Sequence, residues 1–105
     1  MISKESFHKA IAKQQIEWRR HALERMFERG ITKTHAREVI LYGEIVEEYE
    51  NDKPYPSALF FMQIDGRPLH VLAAIDVEMP KAYIITVYEP SLEKFDSDYK
   101  TRKKL

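Results

Sequence analysis

Apolar residues change period once along this chain. From Glu17 to Arg29 they fall at Trp18, Ala22, Leu23, Met26 and Phe27, the i, i+4, i+8 spacing of one helix face. Gly30 follows as a left-handed C′ residue, with Ile31 behind it to make the hydrophobic contact of such caps. Thr32 or Thr34 suits the N-cap of a second helix that buries Ala36, Val39 and Ile40 and ends at Gly43. Ser3 or Ser6 opens a shorter helix reaching Ile11 or Ala12.

After Gly43 the period is two. Ile45–Glu50 is a first strand, ended by Asn51-Asp52-Lys53-Pro54. Ser57–Ile64 and Pro68–Asp76 flank Asp65-Gly66, the pair that favours a type I′ hairpin turn. Residues 77–81 form a loop, and Ala82–Glu89 is a fourth strand with strong β-propensity. Pro90-Ser91 stops it. The charged tail from Leu92 reads as helical or disordered. The pattern predicts an α+β fold: N-terminal helices packed on one face of a small antiparallel sheet.

The turns set the register. A two-residue turn at Asp65-Gly66 pairs Ile64 with Arg67 and Phe61 with His70. A five-residue loop at 77–81 pairs Asp76 with Ala82, Leu72 with Thr86, and His70 with Tyr88. One face then shows Phe60, Met62, Ile64, Leu69, Val71, Ala73, Ile75, Tyr83, Ile85 and Val87, which the helices must cover. The other shows Leu59, Phe61, Gln63, His70, Leu72, Thr86 and Tyr88, a mixed and open surface of the kind that binds partners. A one-residue slip would exchange the two faces.

Composition narrows the function classes. The chain has 105 residues, which fits a single domain spanning 1–105. It has no cysteine, which excludes disulfides, thiolate nucleophiles and cysteine-ligated metals. Seventeen basic residues balance seventeen acidic ones, so bulk charge does not attract nucleic acid, although a local basic patch still can. No membrane span or leader is evident, and the default location is cytoplasmic. No ligand spacing suggests a metal, and no cofactor is called for.

Two constellations carry chemistry. His21, Arg25 and Arg29 lie on one edge of the helical apolar arc, where two guanidiniums and an imidazole suit a phosphate. They equally suit a solvated flank paired with Glu17, Glu24 and Glu28. His70, Tyr88 and Thr86 are cross-strand neighbours, a possible acid/base and charge-stabilising set. Ordinary aromatic packing is the alternative. His8 and His35 have no evident partner. Glu44, Glu47, Glu48 and Glu50 make an acidic strand, and Lys100–Lys104 a short basic run.

Specific words sharpen this. They are His21-Ala22-Leu23-Glu24-Arg25-Met26-Phe27-Glu28-Arg29-Gly30-Ile31-Thr32, Glu38-Val39-Ile40 with Gly43-Glu44-Ile45, Pro68-Leu69-His70-Val71, and Ile84-Ile85-Thr86-Val87-Tyr88-Glu89-Pro90. In these words the chain resembles the RelE-like toxin superfamily, in particular a family of uncharacterised domains often encoded beside a zinc-finger antitoxin of the MqsA type. The resemblance implies helices on one face of a small antiparallel sheet. It also implies metal-independent endoribonuclease cleavage of mRNA, often on the ribosome, and a zinc-finger antitoxin as partner. Carried over, His21, His70, Tyr88 and Thr86 would be catalytic. Arg25 and Arg29 would neutralise the phosphate, and Phe61 or Tyr88 would stack on a base. A non-catalytic protein-binding module of the same fold and a general RNA-binding domain are the competing readings.

Overall fold

The computed structural model describes residues 2–104; Met1 and Leu105, which bound the predicted domain, lie outside the described residues. α1 (Lys4–Ala12) starts on Ser3, whose hydroxyl accepts from the Glu5 amide. α2 (Arg20–Arg29) ends on Gly30 at φ 65°, a conformation that glycine adopts without a Cβ penalty. α3 (Lys33–Tyr42) opens on a capping box. The Thr32 hydroxyl accepts from the His35 amide, and His35 Nδ1 accepts from the Thr32 amide at 3.3 Å. His35, partnerless in the sequence, is thus a helix cap.

The sheet has five strands: β1 (Ile16–Trp18), β2 (Glu44–Tyr49), β3 (Ser57–Ile64), β4 (Arg67–Asp76) and β5 (Lys81–Tyr88). Their order is β1-β5-β4-β3-β2; β1 runs parallel to β5 and every other pair is antiparallel. β1 corrects the helix predicted from Glu17, which begins only at Arg20. Ile16 and Trp18 alternate around an exposed Glu17, a period of two. The free edge of β5 captures them: Ala82 N donates to Gln15 O and Arg19 N donates to Ile84 O.

The β3–β4 hairpin turns as predicted, with Asp65 at φ 52° and Gly66 at φ 80°, both left-handed as a type I′ turn requires. The β4–β5 connection is one residue shorter than predicted, because Asp76 pairs with Lys81 rather than Ala82. That slip would exchange the faces of all of β5. A bulge undoes it: the register shifts between Leu72 and Ala73, so Leu72 faces Thr86 and His70 faces Tyr88. Only the half of β5 before the bulge is inverted. Ile84 and Ala82 point to the helices and are fully buried, whereas Tyr83, expected there, lies on the outer face and Ile85 is half-buried at the bulge.

The inner face, under the helices, is the main core. Phe7 of α1 meets Phe60 edge-on at 4.9 Å, and Ala22, Met26, Val39, Ile40, Val71, Ile84 and Val87 pack around them. Phe27, expected in the helical stripe, is 88% exposed; it falls on the flank of α2 opposite Arg25, beyond the arc that the sheet covers. Gly43 is fixed by close approach, since a Cβ there would collide with the carbonyl oxygens of Val39 and Phe61.

The tail corrects a second expectation. It is neither helix nor disordered but a strap folded across the outer face. Phe95 pairs with Arg102, Asp96 N donates to Thr101 O, and Lys103 N donates to Lys94 O. Phe95 is 1% exposed. Lys100 pairs with Glu44 at 3.2 Å and Arg102 with Glu47 at 2.8 Å, so two cations of the basic run are tied to two carboxylates of the acidic strand. The outer face is therefore covered where it was expected open, and Leu59 and His70 are buried beneath it. No helix among the described residues is long and apolar enough to cross a membrane.

Candidate functional site

The flank of α2, the end of β5 and the strap enclose a cleft of about 480 Å³. Arg25 and Arg29 form one wall. Thr86, Tyr88 and Glu89 come from β5 and its exit, and Ser91, Lys94, Phe95 and Arg102 from the strap. Arg67 assembles this end of the molecule. Its guanidinium donates to the carbonyls of Arg29 and Gly30 and pairs with Glu89 at 2.5 Å. A cation there satisfies orphan carbonyls and complements the negative end of the helix dipole.

Charge in the cleft is unevenly paired. Glu89 is taken by Arg67 and Arg102 by Glu47. Arg25, Arg29 and Lys94 have no acidic side chain within ion-pair distance among the described residues. The partners expected along the helix are engaged elsewhere or apart: Glu17 pairs with Lys81 and Glu24 with Arg20. Three unpaired cations around two hydroxyls and a phenol form an anion-binding arrangement.

Behind Tyr88 lies His70. Its Nδ1 is 3.1 Å from Tyr88 Oη, and its Nε2 is 2.6 Å from the Tyr99 carbonyl oxygen. A carbonyl only accepts, so Nε2 carries the hydrogen in the neutral ring. Nδ1 is then the acceptor, and the Tyr88 hydroxyl donates to it. Phe61, Tyr88 and Phe95 all present edges to the imidazole at 4.8–5.7 Å between centroids. Burial pushes the His70 pKa down, against the Tyr99 hydrogen bond and the Glu47 charge, which pull it up. Burial also pushes the Tyr88 pKa up. At rest the pair is a neutral phenol donating to a neutral imidazole.

Glu47 stands beside this pair. Burial opposes its ionisation, but hydrogen bonds from Arg102 and from the Tyr49 hydroxyl outweigh that and lower its pKa. Arg102 in turn lies 4.9 Å from the Phe95 ring centroid, a cation–π contact within the strap.

The predicted site residues divide. Arg25, Arg29, Thr86 and Tyr88 line one cleft. His70 adjoins it but is fully buried, not exposed on an open face. His21 is exposed and does not line the cleft. It sits two turns, about 12 Å, before Arg29 along α2, and the cleft takes only the last two members of that stripe. Phe61 lines a different hollow, beside Tyr42, Glu44 and Lys100. Glu89, Ser91, Lys94, Phe95, Tyr99, Arg102 and Glu47 are the residues that sequence reasoning missed at the site. The one available signal was Phe95 and Tyr99 standing in a charged run with Asp98 three before Thr101, the composition of a structured turn. No group of three His, Asp or Glu side chains among the described residues is arranged to hold a metal.

Comparison with known proteins adds a family. Residues 18–89 match the family described as a domain of unknown function, DUF4258. The chain belongs to that family. No curated protein and no solved structure matches. The matched DUF4258 segment runs from the last residue of β1 to one residue past β5. It holds Arg25, Arg29, Glu47, His70, Thr86 and Tyr88, while α1 and the strap, with Lys94 and Arg102, lie outside it.

Proposed function

We propose that this chain is a toxin-type endoribonuclease of the RelE-like kind, cleaving mRNA at the cleft between α2, β5 and the strap, and held in check by a zinc-finger antitoxin. The observation that supports it most is the convergence of Arg25, Arg29 and Lys94, all without acidic partners among the described residues, on Thr86 and Tyr88. The guanidiniums would hold a phosphodiester and offset charge developing on its oxygens. The RNA 2′-oxygen attacks the adjacent phosphorus, the bond to the 5′-oxygen breaks, and a 2′,3′-cyclic phosphate forms. Tyr88 takes the 2′-hydroxyl proton as it passes its own to His70 Nδ1. The resulting imidazolium keeps its Nε2–H bond to Tyr99 and is favoured by the nearby Glu47 charge. Lys94 supplies the proton to the leaving 5′-oxygen.

The test is RNA incubated with the purified chain in EDTA, with and without ribosomes. Cleavage with cyclic-phosphate ends is expected, reduced about 10²–10⁴-fold in Tyr88→Phe and about 10²–10³-fold in Arg25→Ala. Intact RNA in both settings overturns the nuclease reading. One observation favours a second reading, a non-catalytic binding module: the Tyr88 hydrogen is already committed to His70, and burial opposes its transfer from both sides. On that reading Tyr88→Phe and Arg25→Ala change complex formation and leave growth unaffected.

A further inference from the structure

Tyr83 was misplaced by the sequence pattern, and its observed position has a consequence for the cleft. It lies on the outer face of β5, on the same side as Thr86 and Tyr88. Its ring stacks on Tyr55 with centroids 5.3 Å apart and planes 14° from parallel. The Lys81 ammonium lies 5.1 Å from its centroid. Ala74 and Ser57, next to Tyr83 in the sheet register, are small and buried. Both tyrosines keep part of their surface in solvent. Tyr83 is three residues from Thr86, roughly 10 Å along the strand.

We infer that β5 is a track for single-stranded RNA, with phosphate held at Arg25, Arg29 and Lys94 and a neighbouring base stacked on the Tyr83–Tyr55 platform. This rests on the cleft being the RNA site. The charges assign the two ends. The cleft holds unpaired cations, whereas Lys81 at the platform is paired with Glu17 at 3.3 Å, and Asp76 stands close by with its carboxylate accepting from the Glu78 amide. Phosphate is attracted to the first end and not to the second, so the part of the polymer that reaches the platform is an uncharged base. Aromatic rings serve any base, because each has a π-face. A duplex keeps its base faces stacked and cannot use the platform.

The test measures binding of a ten-nucleotide 2′-O-methyl RNA, whose blocked attacking oxygen prevents cleavage, across a salt series. Tyr83→Leu preserves apolar volume but removes the π-face. It should weaken binding about 5- to 100-fold with an unchanged salt slope, and Tyr83→Phe should restore it. Arg25→Ala should instead reduce the slope by about one. A Tyr83→Leu protein that binds the oligonucleotide like the wild type overturns the track, as does an equal loss for duplex RNA. Tyr83-dependent binding by a chain that never cuts RNA supports the track and removes the nuclease. Cleavage with no effect of Tyr83 keeps the nuclease and removes the track.

Discussion

The two faces of the sheet are closed by different physics. The inner face is sealed by helices over the apolar side chains of Phe60, Val71, Ile84 and Val87. The outer face is sealed by a strap held through one ring, Phe95, and through polar contacts: Arg102 to Glu47, Lys100 to Glu44, and the Tyr99 carbonyl to His70. Apolar burial is non-directional and roughly additive in area. Polar closure depends on geometry and protonation, and leaves groups that a ligand can engage. The cleft lies on the strap side for that reason.

The sharpest way to break this contrast is to delete one ring from each face. Phe60→Ala should destabilise the whole domain by about 3–5 kcal/mol, the usual range for a buried Phe truncation. Phe95→Ala should cost less, because the strap can open while the sheet stays folded. Amide exchange in 91–103 should accelerate, and exchange in β3 and β4 should not. Denaturant unfolding of both variants measures the difference, and an equal global loss would show that the strap is part of the main core.

A change of pH should separate the faces next. His70 is held below its ordinary value by burial, so the unfolded chain binds its proton first. The stability this gives is complete above about pH 6.5 and is lost as pH falls from there toward the folded pKa. Glu47 is also lowered, in spite of its burial, by Arg102 and Tyr49. Its contribution is present above the ordinary carboxylate value of 4.5 and disappears as pH falls below it. Unfolding midpoints should therefore drop in two windows. His70→Gln, which can still donate to the Tyr99 carbonyl, should flatten the upper one and leave the lower. An unchanged slope below pH 6.5 in His70→Gln would mean that His70 is not held neutral by its surroundings.

The same contrast explains what the sequence disclosed. The inner face was legible because its period carries it: Phe60, Val71 and Val87 point inward as the alternation and the Asp65-Gly66 turn require. The cross-strand line Phe61, His70, Tyr88 was legible too, though by compensation, since the shorter turn before Lys81 and the bulge at Ile85 cancel. A bulge has no signature in alternation until a pairing strand is known, so Tyr83 and Ile85 were misassigned. Three-residue β1 was absorbed into the helix that follows, because Trp18 fits both periods. The strap escaped because its closure rests on pairs far apart in sequence, Arg102 with Glu47 and Tyr99 with His70, which no local pattern encodes. His21 was grouped with Arg25 and Arg29 by spacing, although a stripe two turns long reaches past a cleft one turn wide.

The smallest effect tests whether the strap's own turn is a separate unit. Asp98 is fully exposed, and its carboxylate accepts from the amides of Lys100 and Thr101 through one oxygen and from the Thr101 hydroxyl through the other, at 2.8–2.9 Å. The backbone hydrogen bond from Thr101, followed by that from Lys100, holds its pKa down to about 2. A lowered carboxylate contributes above its unfolded value and stops contributing only as pH falls through the folded one. The turn should thus persist as pH falls below the ordinary carboxylate range, until it nears about 2. Asp98→Ala removes all three hydrogen bonds and should raise amide exchange at Lys100 and Thr101 without moving the unfolding midpoint. Asp98→Asn can still offer one oxygen to both amides and its NH₂ to the Thr101 oxygen. It should keep that protection while losing its dependence on acid. If Asp98→Ala instead shifts the midpoint as Phe95→Ala does, the tip and the Phe95 anchor open together and the strap is one cooperative element.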